Sequence, residues 1–237
     1  MSVSAEDAAR TLREAERMEA RSATLHRYQA STPYFIMWGL ITIAAYALTR
    51  SLPLRWFLVW GVANSIGFSA SFVWGFNRSA FPWRPFAARA LVVLACYAAG
   101  YLAAALHPRY ADTLFWSTTA LAIGANLLVS RASGRAACGG VGRLWTIFAV
   151  TALFYAALLA LMSPVRGRSA EAAAPVVIAM VFVLWGLSAG TRYVVAGLAL
   201  AALTLAGYFT IRGDIALWTA AILGGSLVLA GIWMRRV

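Results

Sequence analysis

The sequence has no lysine, and it is nearly bare of acids past its first turns: from Pro33 onward the only carboxylates are Asp112, Glu171 and Asp214. All three fall in short gaps between long apolar runs, so no carboxylate pair is available inside a run for acid/base chemistry or for a proton relay. Histidine is almost as scarce. His26 and His107 belong to opposite ends of the predicted layout, which excludes a two-histidine metal site. Cys96 and Cys138 give no disulfide framework; a buried small apolar residue and a loop thiol are the roles expected of them. No cofactor and no metal ligand set is expected.

The sequence is rich in apolar residues, at 62% of its 237 positions. A helix needs about 20 mainly apolar residues to cross a hydrocarbon core of roughly 30 Å. Eight segments meet that requirement, at about 34–49, 55–76, 87–107, 112–130, 143–163, 174–190, 193–211 and 214–234. None shows the two-residue alternation of barrel strands, so the expected fold class is all-α, a polytopic transmembrane helix bundle. Two regions follow: a cytosolic charged helix over residues 1–32 and the bundle over 33–237.

Punctuation agrees with eight spans. The seven prolines are expected in gaps or first helical turns, where a missing N–H costs least. Trp56, Trp60, Trp74, Trp83, Trp116, Trp145, Trp218 and Trp233 lie near predicted ends, as an interfacial belt requires, with some left to pack between helices. Residues 188–192 are the weakest boundary, because one long tilted helix there would give seven spans. That alternative would bury Arg192 at mid-bilayer, at a cost of about 2.5–3.5 kcal/mol.

Arginine then orients the chain. With eight spans, fourteen arginines fall on the N-terminal side and six (Arg50, Arg55, Arg109, Arg166, Arg168 and Arg212) on the other, so both termini are expected in the cytoplasm. The net charge of +12 is spread over loop ends, and anionic headgroups account for it better than nucleic acid does.

Residues 4–30 form the one sizeable extramembrane piece. Ser4 with Asp7 makes a capping-box pattern, and opposite charges recur at helical spacing, among them Arg10 with Glu14. Leu12, Met18 and Leu25 leave a thin apolar seam. The segment lacks the apolar core of a signal peptide, so cleavage by that route is not expected. It is either a solvated helix that helps fix topology or a contact for another membrane or cytosolic protein. Oligomeric state is not legible.

Thr42, Tyr46, Arg50 and Trp56 recur as Thr204, Tyr208, Arg212 and Trp218 at a constant offset of 162, a pattern of parallel duplication or of shared interfacial chemistry. Small-residue stripes (Ala63–Gly67–Ser71, Ala95–Ala99, Gly197–Ala201, Gly186-x-x-x-Gly190) are expected between helices. The polar residues within spans are Asn64, Ser65 and Ser69 in the second, Asn126 in the fourth and Thr204 in the seventh. Asn64 and Asn126 should face the interior, where they could meet each other, as interhelical glue or as the lining of a solute path with Arg50 and Arg212 at an outer mouth.

Two resemblances complete the reading. Gly67-Phe68-Ser69-Ala70-Ser71 resembles the Gly-x-Ser motif of rhomboid proteases, yet Ser69 would lie roughly 20 Å below the outer surface near which His107 sits, where general-base contact needs about 3 Å. The glycine-rich stretch 134–143 lacks the Gly-Lys-Ser/Thr of a phosphate loop. Tyr34-Phe35-Ile36-Met37-Trp38-Gly39-Leu40, with the closing pair Leu203-Thr204-Leu205-Ala206-Gly207-Tyr208 then Ala216-Leu217-Trp218, ending Gly231-Ile232-Trp233-Met234-Arg235-Arg236, resembles small bacterial multi-pass membrane proteins with a charged N-terminal helix. That resemblance implies a bacterial inner membrane and carries no activity. The leading expectation is a non-enzymatic scaffold or regulatory subunit in contact with membrane lipids. A permease or channel for a small neutral or anionic solute is second, and a lipid-modifying enzyme third.

Overall fold

The computed structural model describes residues 5–52, 56–74, 82–132, 139–162, 168–211 and 215–236. Among these residues it is an all-α bundle with eight helices long and apolar enough to cross a membrane. In chain order they are α1 (Ala5–Ser51), α2 (Trp56–Trp74), α3 (Trp83–Leu106), α4 (Ala111–Ala132), α5 (Gly139–Met162), α6 (Arg168–Ala189), α7 (Thr191–Thr210) and α8 (Ile215–Arg235). A short 3-10 turn, Pro108–Tyr110, leads into α4, and Ala220–Gly224 winds as a π-helical turn inside α8. The chain is a multi-pass membrane protein.

Two prolines are placed differently from the expectation. Pro33 lies inside α1, and Pro175 lies inside α6, which begins earlier than residue 174. A transmembrane helix tolerates such a residue because neighbouring helices and side chains re-satisfy the freed backbone. The charged leader and the first span are therefore one helix of 47 residues, about 70 Å long. Ser4, Arg55, Arg78, Arg135, Cys138, Arg166, Arg212 and Asp214, invoked in the sequence reading, lie outside the described residues.

Helices adjacent in sequence pack against one another, and α1 also lies along α8. Two apolar cores result. One gathers Phe35, Tyr193, Leu200, Leu227 and Met234 from α1, α7 and α8, together with Trp185 of α6. The other gathers Phe57, Phe68, Val93, Tyr97, Phe115 and Trp145 from α2, α3, α4 and α5. Trp38 of α1 joins them: its ring packs 5.2 Å from Phe68 and 5.9 Å from Trp145, and its indole N–H donates to Ser71 Oγ at 3.0 Å. Trp145 is thus a core residue, 7% exposed, and not part of an interfacial belt. Trp83 and Trp233 keep the exposed position a belt needs, at 69% and 41%.

Small residues set how closely the helices approach. A Cβ at Gly39 would stand 2.7 Å from the Gly224 carbonyl oxygen, and one at Gly197 the same distance from that of Ala179. Ala95 and Ala99 are exposed, so that stripe does not serve helix packing within the chain.

The boundary at 188–192 is a break. Gly190 adopts φ +142° and ψ 152°, a region open to glycine alone, and reverses the chain between α6 and α7 in a single residue. Replacing Gly190 by Ala would impose that backbone on an L residue and drive a methyl into the Tyr28 hydroxyl. We expect Gly190→Ala to lower stability by about 2 kcal/mol or more. Gly124→Ala, into open helix surface, should be neutral or gain up to about 1 kcal/mol. Thermal unfolding in detergent compares the two, and equal midpoints would contradict the assignment.

Candidate functional site

Polar side chains buried between α2, α3 and α4 include two separate clusters. The deeper one centres on Tyr97 of α3, 2% exposed. Asn64 Nδ2 of α2 donates to the Tyr97 hydroxyl at 2.7 Å, and the Tyr97 and Thr119 hydroxyls are 2.7 Å apart. Thr119 in turn donates to the Phe115 carbonyl one turn back in α4. Three helices are thereby bonded through side chains at mid-span, where no water competes.

The second cluster holds a charge. Arg89, 4% exposed, stands six residues into α3, about 9 Å from its start. One guanidinium nitrogen donates to the Asn126 carbonyl at 3.1 Å, to Asn126 Oδ1 at 3.3 Å and to Ser130 Oγ at 3.1 Å. The cation also lies 5.5 Å from the centre of the Phe72 ring on α2. Asn126 is fixed in its turn, since its Nδ2 donates to Ala122 O and its carbonyl accepts from Ser130. The expectation that the positive charge is spread over loop ends is corrected at this position: Arg89 is enclosed by α2, α3 and α4.

Asn64 and Asn126 both face the interior, at 7% and 1% exposure, but they do not meet. Asn64 bonds Tyr97 and Asn126 bonds Arg89. Ser65 and Thr204 are buried and back-bonded to Gly61 O and Leu200 O, as hydroxyls commonly are in transmembrane helices. Ser69 is fully buried, and its hydroxyl lacks a hydrogen-bond partner, as do Thr49 and Thr219 among the described residues. His107 caps the far end of α3 and is exposed. Arg50 is exposed at the end of α1, and Arg212, its expected companion, lies outside the described residues.

A third set of contacts clasps the α6–α7 turn to α1. The Tyr28 hydroxyl accepts from the Arg192 amide at 3.3 Å, Arg27 reaches the Ser188 carbonyl at 3.5 Å, and Tyr193 donates to Ser31 Oγ at 2.7 Å. The Arg192 guanidinium lies 5.3 Å from the Tyr28 ring centre and 4.9 Å from that of Trp233, and donates to the Trp233 carbonyl at 3.0 Å. Sequence reasoning missed Arg89, Tyr97, Thr119 and Ser130. A signal was present for the first, because Arg89 falls inside the predicted span 87–107, at the depth of the Asn126–Ser130 turn. No family model, curated protein or solved structure matches the chain, so its function is argued from its own residues.

The arrangement predicts a coupled pair. Asn126→Leu strips an acceptor from a buried cation and should cost about 2 kcal/mol. In an Arg89→Met background, where no charge needs solvating, the same substitution should cost less than about 1 kcal/mol. Unfolding of the four proteins of the cycle in mixed micelles measures this, and strictly additive costs would show that the two residues act apart.

Proposed function

We propose that the chain is a non-enzymatic scaffold or regulatory subunit of a membrane complex, and that the arm of α1 is its docking element. The arm carries this reading. Every side chain over residues 10–23 is exposed, Leu12 at 62% and Met18 at 68%, and about 27 Å of helix separates Arg10 from Tyr28, where burial begins. Its surface alternates charge, with Arg10 Nε 3.5 Å from Glu14 Oε1, a weak exposed pair that leaves the face hydrated until something covers it. The arm has no break before the span, so a partner that moves it also loads the Tyr28 clasp and the turn at Gly190. The arginine asymmetry supports placing the arm in the cytoplasm, and the resemblance noted in the sequence supports a bacterial inner membrane.

The permease reading keeps one observation in its favour. A cation enclosed within a bundle, as Arg89 is, suits a path for a small anion. Against it, the polar groups at Asn64 and Asn126 are engaged with protein partners inside closely packed helices, as glue would be.

The full chain, purified from its own membranes in mild detergent, should carry a second polypeptide in fixed stoichiometry. Deleting residues 5–24 should release that polypeptide and leave helicity and the unfolding midpoint of the bundle unchanged. Retention by the truncated chain, or a chain that purifies alone, would contradict the proposal.

A further inference from the structure

We propose that the groove between α1 and the last turn of α8 binds an anionic phospholipid, its phosphate at Arg235 and its upper acyl chain along Ile36. The groove encloses about 520 Å³ and is lined by Gln29, Thr32, Pro33, Ile36 and Arg235. Its chemistry is graded along the helix axis. α8 runs antiparallel to α1, with Gly231 packed against Ile36 and Thr32, so Arg235, one turn further, stands level with the Gln29–Thr32 turn. The polar lining is therefore at the end from which the charged arm emerges. Pro33 and Ile36 form the wall that leads toward hydrocarbon. A phosphate joined to a long apolar tail uses both ends of this groove, whereas a free anion uses one.

Charge favours the same ligand. Between Glu19 and Asp112 the sequence has no acid, and after Asp214 it has none. Glu19 is ten residues above Gln29 on α1, about 15 Å along the axis. Asp112 and Glu171 belong to the starts of α4 and α6, at the opposite end of the bundle. Arg27, Arg192 and Arg236 share the end with Arg235, and the first two are held by the Ser188 and Trp233 carbonyls. They supply a fixed positive field, and Arg235 lines the groove. Trp233, exposed and stacked on Arg192, marks this turn of α8 as belonging to the headgroup layer. The inference does not depend on the docking role of the arm.

Native mass spectrometry of the full chain, equilibrated with phosphatidylglycerol and phosphatidylcholine in mixed micelles, tests it. The unsubstituted chain should retain phosphatidylglycerol in preference. Arg235→Gln should reduce that retention about fivefold, the loss of one interfacial cation. Ile36→Trp, which fills the chain wall and leaves the charge alone, should also reduce it. Arg109→Gln, at the other end of the bundle, should leave it unchanged. Equal midpoints on heating verify that the variants are folded. Undiminished retention in Arg235→Gln, or an equal loss in Arg109→Gln, would overturn the proposal. So would displacement of the lipid by millimolar inorganic phosphate with no effect of Ile36→Trp, which would identify a water-soluble phosphate as the ligand.

Discussion

Hydrocarbon offers no hydrogen bonds, and this organises the polar residues of the molecule. Each buried polar side chain either finds a partner within the protein or stays unsatisfied at a cost of several kcal/mol. Ser65, Thr119 and Thr204 solve the problem locally, by bonding the carbonyl one turn back. Asn64, Tyr97, Arg89 and Asn126 solve it across helices, which makes α2, α3 and α4 a bonded unit. The charge on Arg89 is the most demanding case, and three acceptor contacts together with an aromatic face surround it.

The other half of the bundle is held by shape. Glycines at 39, 186, 197 and 224 bring α1, α6, α7 and α8 into close contact, and aromatic rings fill what remains. Trp38 is the shared piece, because it packs on Phe68 and Trp145 of the second core from a helix that belongs to the first. The same helix carries the exposed arm. A load on the arm therefore reaches both cores through α1, with the Tyr28 and Arg27 contacts as the first point of restraint.

The span count and most helix limits were legible in the sequence, since hydropathy averaged over about 20 residues is insensitive to detail. What failed was detail of that kind. Pro33 and Pro175 looked like boundaries because proline breaks soluble helices, and here both sit within helices. Trp145 looked interfacial because it lies near a helix start, yet four other aromatic rings pack against it. The suggested meeting of Asn64 and Asn126 ignored depth. Asn64 lies at the middle of α2 and Asn126 more than a turn past the middle of α4, on a different level of the bundle. The pairing of Arg89 with Asn126 followed from the same arithmetic, but assigning Arg89 to a flank hid it. Which helices become neighbours is a property of the assembled bundle, and a single sequence does not encode it visibly.

The account rests on an even number of crossings, with α1 and α8 antiparallel and the arm sharing a face with the last turn of α8. Labelling of single cysteines by a membrane-impermeant thiol reagent in intact cells tests this most directly. The native Cys96 and Cys138 are first replaced by Ala. Ser22→Cys and Arg236→Cys should both stay unlabelled until the membrane is opened, while Tyr110→Cys should label at once. Labelling of Ser22→Cys and Arg236→Cys from different sides would contradict the account.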